Sequence, residues 1–122
     1  MSLGTEQEAF LGDVINLLIF ARSQGFGVRF GEVLRPIEMQ EIYVKTGRSK
    51  TMDSMHLKRC AIDLVLIKDG VVCTREQIKP VGDYWEAQSL KNRWGGNWRG
   101  QVDAGRSTFI DAPHFERQVL TS

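Results

Sequence analysis

One aspartate inside an apolar run constrains the fold of this chain more than any other feature. The run "AIDLVLI", Ala61 to Ile67, is short and almost wholly apolar, which is typical of a buried strand. Asp63 interrupts it, and an unpaired carboxylate in an apolar environment is costly. The sequence therefore predicts a buried strand in which one acidic side chain faces a specific partner.

Two kinds of partner for that carboxylate are open at this point. The chain has only two histidines, His56 in the segment before Asp63 and His114 near the end of the chain. Two imidazole nitrogens and a carboxylate oxygen suit zinc, and three protein ligands leave the fourth tetrahedral position open, as in catalytic sites. A histidine is more often an ordinary hydrogen-bonded residue, however, and Arg35 or Arg59 could pair with the carboxylate. The spacing alone selects neither.

Composition and charge narrow the class of protein. A chain of 122 residues, with 42% hydrophobic and 25% charged residues, is expected to form a single soluble domain over residues 1–122. The net charge of +1 gives no overall field that would favour a nucleic acid partner. Cys60 and Cys73 are too few for a disulfide scaffold and form no CxxC pair, so a reducing place of synthesis with both cysteines buried is expected.

The N-terminal region has no features of a targeting segment. The apolar stretch "DVINLLIFAR", residues 13–22, is bounded by charges and lacks a basic region or a small-residue cleavage site. It is also too short to cross a bilayer. We therefore expect synthesis without a signal peptide and no stable membrane insertion.

The order of elements predicts an α+β fold, a small antiparallel sheet with flanking helices. Thr5 and Glu8 form a capping-box pattern at the start of a helix that Gly25 ends. Asp69 and Gly70 form a hairpin turn. Helices are expected over residues 6–24, 36–45 and 75–88, strands over 26–34, 61–67, 71–73 and 114–120, and a glycine-rich loop over 92–108.

Two acidic residues flank His114. Asp111 lies three residues before it and could act as the base that a zinc peptidase needs. The alternative is that Asp111 only caps a turn before Pro113, which is common for aspartate. Glu116 lies two residues after His114 and shares its face in an extended segment. Glu116 is interpreted either as support behind a ligand or as a surface charge.

Four segments taken together resemble the family of zinc D-alanyl-D-alanine carboxypeptidases and L-alanyl-D-glutamate endopeptidases, and within it the phage endolysin branch. They are "GEVLRPIEMQEIYVKTGRSKT", "SMHLKRCAIDL", "RWGGNW" and "DAPHFE", in this order between Gly31 and Glu116. The resemblance implies a Hedgehog/DD-peptidase-like fold. It also implies one catalytic zinc ion bound by His56, Asp63 and His114. Asp111 falls at the position of the general base, where some relatives have glutamate.

The resemblance further implies three residues that contact substrate. Arg35 would bind a substrate carboxylate or polarise the scissile carbonyl, with a structural ion pair as the alternative. Gln40 would line the cleft. Ser54 would bond substrate or orient the loop before His56, unless it is an ordinary turn residue.

The chain departs from its relatives in one stretch and leaves the role of its tryptophans open. Where relatives often have a small residue after His56, this chain has "LKRCA". Strand alternation places Cys60 opposite to Asp63, so it is not expected to bind the metal. Trp94 and Trp98 are interpreted as a cleft wall or as packing, in preference to a stacking platform for nucleic acid.

The expected function is a zinc-dependent peptidase that hydrolyses peptidoglycan stem peptides, with the L-alanyl-D-glutamate bond preferred. A phage lysin of this kind would be made in the cytoplasm and act on the cell wall after release. One alternative is a D-alanyl-D-alanine carboxypeptidase or dipeptidase. The other is a catalytically silent zinc-containing module that binds the wall. The sequence does not fix the oligomeric state.

Overall fold

A computed structural model describes residues 2–33, 37–47 and 55–119 of the chain. Within these ranges it contains three helices and five strands, which confirms the predicted α+β class. In chain order they are α1 (Leu3–Ser23), β1 (Gly27–Phe30), α2 (Ile37–Lys45), β2 (Ala61–Lys68), β3 (Val71–Val72), α3 (Arg75–Gln88), β4 (Asn92–Trp94) and β5 (His114–Arg117).

The strands form one antiparallel sheet around β2. Their order is β1-β2-β5-β4, and β3 pairs with the far end of β2 as a hairpin. Alternate side chains of β2 face the hydrophobic core, where Leu64 and Leu66 are buried. Because the side chains of a strand alternate between its two faces, Asp63 points to the other side of the sheet. The sheet thus separates an apolar core from the face that carries the site.

Helices α1 and α3 cover the core face of the sheet. Four apolar residues of α1 are buried at helical spacing, namely Phe10, Val14, Leu17 and Ala21. The Trp85 ring of α3 packs nearly perpendicular to the rings of Phe10 and of Phe115 on β5. No helix in the described part of the chain is both long enough and apolar enough to cross a membrane.

The start of α1 differs from the prediction, whereas its end agrees with it. Ser2, and not Thr5, is the N-cap, because its side-chain oxygen accepts a hydrogen bond from the Thr5 backbone N–H at 3.2 Å. The helix therefore begins about one turn earlier than the capping-box pattern indicated. Gly25 follows the helix with φ of +87°, the left-handed conformation that favours glycine at this position.

The prediction of a continuous glycine-rich loop over residues 92–108 is wrong at its beginning. Asn92–Trp94 forms β4, which pairs with β5. Trp94 is fully buried, and a Cβ atom at either Gly82 or Gly96 would overlap its ring. Such a short strand depends on a distant partner and on these glycines, and three residues are too few to form a recognisable strand pattern in the sequence. The last strand is also shorter than predicted, ending at Arg117.

A buried ionic cluster joins α1 to the end of β5 on the core side of the sheet. The Glu6 carboxylate accepts hydrogen bonds from Arg117 Nε at 2.7 Å and from Lys91 Nζ at 2.8 Å. The side chains of Glu6 and Arg117 are only 4% and 8% exposed. Hydrogen bonds from Arg117, which has the larger effect, and from Lys91 lower the pKa of Glu6 below its usual range.

Glu6→Gln is expected to destabilise the protein by about 3 kcal/mol, because it leaves the Arg117 guanidinium buried without its counter-charge. Chemical unfolding followed by fluorescence of the tryptophans measures this difference. Since the folded pKa of Glu6 is lowered, the carboxylate stabilises the fold above its unfolded pKa of about 4.3. The difference between the two proteins should therefore shrink as the pH falls below about 4.

The matched control is Glu8→Gln on the exposed side of α1, expected to change stability by less than about 0.5 kcal/mol. Equal stability of Glu6→Gln and Glu8→Gln would contradict the assignment.

Candidate metal centre

The register between β2 and β5 places Asp63 directly opposite His114. Opposite residues of antiparallel strands point to the same face, with Cβ atoms about 5 Å apart. His114 Nδ1 accordingly lies 3.3 Å from Asp63 Oδ1. On its other edge the Asp63 backbone is held by the segment after β1, since Gly31 N donates to Asp63 O and Asp63 N to Glu32 O, both at 2.7 Å. Strand pairing on both sides therefore fixes the backbone from which this carboxylate projects.

His56 reaches the same carboxylate from a single turn that precedes β2. Cys60 N donates to Met55 O at 2.9 Å and Arg59 N donates to His56 O at 3.2 Å, which is the Schellman pattern of a helix end. Arg59 occupies the left-handed position of this motif, with φ of +57°, where glycine is usual. The His56 side chain is fully buried, and its Nε2 lies 3.2 Å from Asp63 Oδ1. The turn thus aims one imidazole at the strand carboxylate.

The three side chains present a donor set that fits a tetrahedral metal ion. One ligand atom from each of His56, Asp63 and His114 lies within 4.8 Å of the others. Ligand atoms about 2.05 Å from a tetrahedral Zn²⁺ lie about 3.3 Å from one another. The two nitrogen–oxygen distances of 3.2 and 3.3 Å match that separation. The spacing and the chemistry of the donors therefore both suit a divalent cation.

His114 lies between two carboxylates. Its Nε2 is 2.7 Å from Glu116 Oε1, while its Nδ1 faces Asp63. Burial alone would lower the pKa of His114, but the hydrogen bonds to Asp63 and Glu116 outweigh it and raise the pKa to about 9. Burial likewise tends to raise the pKa of Asp63, and hydrogen bonds from His114 and His56 hold it well below its usual range. A metal ion would take the place of the proton between Nδ1 and Asp63.

Glu116 is buried rather than a surface charge. It is 8% exposed, and β5 presents it on the same face as His114. Strand β4 places Arg93 directly opposite Glu116, with Nη1 3.9 Å from Glu116 Oε2. Of the two interpretations from the sequence, support behind a histidine is the one that agrees with this burial.

Trp98 forms a wall beside the candidate metal centre. Its ring centroid lies 5.4 Å from that of His114, and the Arg93 guanidinium lies 4.9 Å over the Trp98 ring. Trp98 Nε1 donates to Phe109 O at 2.9 Å, and the two rings stack. The two tryptophans therefore differ in role, since Trp94 packs in the core. Nothing in the sequence associates Arg93 with the site, because its contacts there depend on the pairing of β4 with β5.

Several contacts hold the backbone at Trp98 and Arg99 in an unusual conformation. Trp98 and Arg99 have φ of +48° and +56°, which is rare for non-glycine residues. Glu86 Oε2 accepts from Trp94 N at 3.0 Å and from Arg99 N at 2.6 Å. Arg99 Nη1 also donates to Asn92 O at 2.8 Å. Strained backbone persists where surrounding contacts over-determine it, and such positions cluster at functional sites.

The remaining predicted site residues occupy different surroundings. Asp111 is half-buried one turn before His114, whose backbone N–H donates to Asp111 O at 3.0 Å. Asp111 N in turn donates to Gly95 O at 2.8 Å. Gln40 of α2 is fully buried. Arg35 and Ser54 lie outside the described residues.

The cysteines do not belong to the metal centre. Cys60 and Cys73 are both free and buried, as predicted. Burial has the largest effect on the Cys60 thiol and raises its pKa, and the nearby charge of Glu6 raises it further. A thiol in such surroundings stays protonated and is a poor ligand.

The sequence of the chain is similar to those of phage L-alanyl-D-glutamate peptidases. The model of the phage L-alanyl-D-glutamate peptidase family matches residues 14–118. A curated relative, the L-alanyl-D-glutamate peptidase of Listeria phage A118, is 34% identical over 102 residues, which are 82% of this chain and 34% of the relative. The chain thus spans about a third of the length of that relative.

A solved structure shows the same fold. The L-Ala D-Glu endopeptidase ChiX of Serratia marcescens superposes with a TM-score of 0.65 at 25% sequence identity. The alignment covers 88% of this chain and 79% of ChiX. The sequence and the fold of the chain are therefore both similar to those of L-alanyl-D-glutamate peptidases.

Proposed function

Because the chain belongs to the phage L-alanyl-D-glutamate peptidase family, we propose that it is a zinc-dependent peptidase that hydrolyses the L-alanyl-D-glutamate bond of peptidoglycan stem peptides. The observation that carries the proposal is the convergence of His56 Nε2 and His114 Nδ1 on one oxygen of Asp63. Two imidazole nitrogens and one carboxylate oxygen at these separations suit zinc, and zinc can polarise the carbonyl that a metallopeptidase attacks.

His56, Asp63 and His114 are the proposed zinc ligands. When bound, zinc supplies a Lewis acid that polarises a carbonyl and makes water a competent nucleophile near neutral pH. The chain's part is to hold three donors at fixed separations and leave one side of the site open to substrate. Trp98 lies beside His114 and limits the space on that side.

Asp111 is the proposed general base and acid. It takes a proton from the attacking water and returns a proton to the leaving amine of D-glutamate, so that one carboxylate serves both steps. Its place one turn before His114 supports this role, since the Asp111–His114 backbone bond ties the two residues together.

Arg35, Gln40 and Ser54 are proposed to contact the stem peptide. An arginine suits a substrate carboxylate or a developing oxyanion because its planar fork is permanently charged. Gln40 is proposed to line the cleft, and Ser54 to bond substrate or orient the loop before His56. These three assignments rest on the family resemblance.

The proposed site of action is the bacterial cell wall. The protein would be made in the cytoplasm and reach peptidoglycan after release, as a phage endolysin does. Peptidoglycan stem peptide is the proposed partner.

Digestion of purified peptidoglycan tests the proposed function. The zinc-loaded protein is expected to release fragments whose new ends are a C-terminal L-alanine and an N-terminal D-glutamate, identified by mass spectrometry. A chelator should stop the release, and added zinc should restore it.

Other outcomes of the digestion select the alternatives. Release of free D-alanine, with the L-alanyl-D-glutamate bond intact, would make the protein a D-alanyl-D-alanine carboxypeptidase. Zinc and wall binding without any cleavage would make it a silent wall-binding module. Failure to bind zinc at all would remove the basis of the proposal.

A further inference from the structure

We propose that Glu116 is a positioning residue that holds the His114 ring with Nδ1 facing the metal centre. The inference rests on the proposed function, because it concerns the same site. It assigns a role to a buried carboxylate that neither binds the metal nor takes part in the proton transfers described above.

The geometry at His114 carries the argument. Ionised carboxylate oxygens only accept hydrogen bonds, so the 2.7 Å contact to Glu116 Oε1 requires a proton on His114 Nε2. In a neutral imidazole the other nitrogen then carries the lone pair. That nitrogen, Nδ1, faces Asp63 Oδ1 at 3.3 Å. Glu116 thus selects the tautomer in which Nδ1 can bind a metal ion.

The position of Glu116 is itself fixed by the sheet. It lies on β5 two residues after His114, so the two side chains share a face. Its cross-strand neighbours are Ala61 on β2 and Arg93 on β4. Arg93 Nη1 lies 3.9 Å from the second carboxylate oxygen of Glu116. The sheet therefore places the Glu116 carboxylate on the face of His114, with a cation on its other side.

Removal of Glu116 would weaken the metal centre in two ways. Without Glu116, His114 could adopt the other tautomer, or the ring could turn away from Asp63. Partners behind metal-binding histidines typically account for 10- to 100-fold in metal affinity, because they set the tautomer and ring orientation. We expect a loss of about this size when Glu116 is removed.

Zinc affinity of the full chain, measured by competition with a chromophoric chelator, tests the role. Glu116→Ala is expected to weaken zinc binding about 10- to 100-fold. Glu116→Gln keeps an acceptor without the charge, and it should restore part of the affinity. Glu76→Gln, an exposed glutamate on α3 with a side chain 72% accessible, is the matched control and should bind zinc like the unaltered protein.

Nitrogen-15 spectra of the imidazoles supply a readout that general loss of packing would not imitate. The chain has only two histidines, so both rings can be assigned. In the zinc-loaded protein His114 should be protonated at Nε2 and metal-bound at Nδ1, whereas His56 should show the reverse pattern. Glu116→Ala should make the His114 Nε2 proton exchange faster with solvent.

The outcomes separate this inference from the proposed function. Suppose that the unaltered protein binds zinc and cleaves peptidoglycan, and that the folded variants Glu116→Ala and Glu116→Gln have the same zinc affinity and imidazole spectra as the unaltered protein. Only the role of Glu116 is then overturned. If the unaltered protein binds no zinc, both proposals fall. Should Glu116→Ala not fold, Glu116→Gln decides, and wild-type affinity with wild-type exchange of the Nε2 proton would overturn the role.

Discussion

Asp63→Asn is expected to reduce zinc affinity and peptidoglycan cleavage by on the order of a thousandfold or more. The substitution keeps the size of the side chain but removes the charge on which both histidines converge, at 3.2 and 3.3 Å. An amide oxygen is a weaker ligand for a divalent cation than a carboxylate. Metal content after dialysis and the rate of fragment release are the two measurements.

The control for this prediction is Asp83→Asn on α3. Asp83 pairs with Lys79 on the surface, with a side chain 52% exposed, and its substitution should leave both quantities unchanged. Stoichiometric zinc at unaltered affinity in Asp63→Asn would show that the metal centre is not built on this carboxylate.

Asp111→Asn is expected to retain zinc but lower the cleavage rate about 100- to 10,000-fold, which is the usual contribution of a general base. The isosteric change preserves the two hydrogen bonds that hold this turn, because both use the Asp111 backbone. Rates of fragment release across a range of pH, together with metal content, give the test. Loss of rate with zinc retained separates a proton-transfer role from a ligand role.

Asp111→Glu serves as the conservative comparison, since it keeps the carboxylate. It should recover part of the cleavage rate lost in Asp111→Asn, because a carboxylate is still present and only its reach has changed. A cleavage rate for Asp111→Asn close to that of the unaltered protein would leave Asp111 as a turn residue only.

Much of the fold followed from local signals in the sequence. The end of α1 at Gly25, the hairpin at Asp69 and Gly70, and the bounds of α3 all depend on neighbouring residues. Asp63 was informative because a charge in an apolar strand is improbable without a partner. The search for that partner led to both histidines.

What the sequence did not reveal depends on pairing between distant segments. Strand β4 exists because Trp94 fits between two glycines and because β5 offers a free edge. The burial of Glu116 and its contact with Arg93 follow from that same pairing. The turn that aims His56 was hidden because Arg59 stands where glycine would mark a helix end.

The register of β2 against β5 also has a kinetic consequence. His56 and Asp63 are 7 residues apart, whereas Asp63 and His114 are separated by 51. The first pair can meet in a locally ordered chain, but the second requires closure of a long loop, which is slow. A slip of one residue between these strands would turn His114 to the opposite face. Tight metal uptake during refolding should therefore be a late event that reports correct strand alignment, and it should lag behind helix formation.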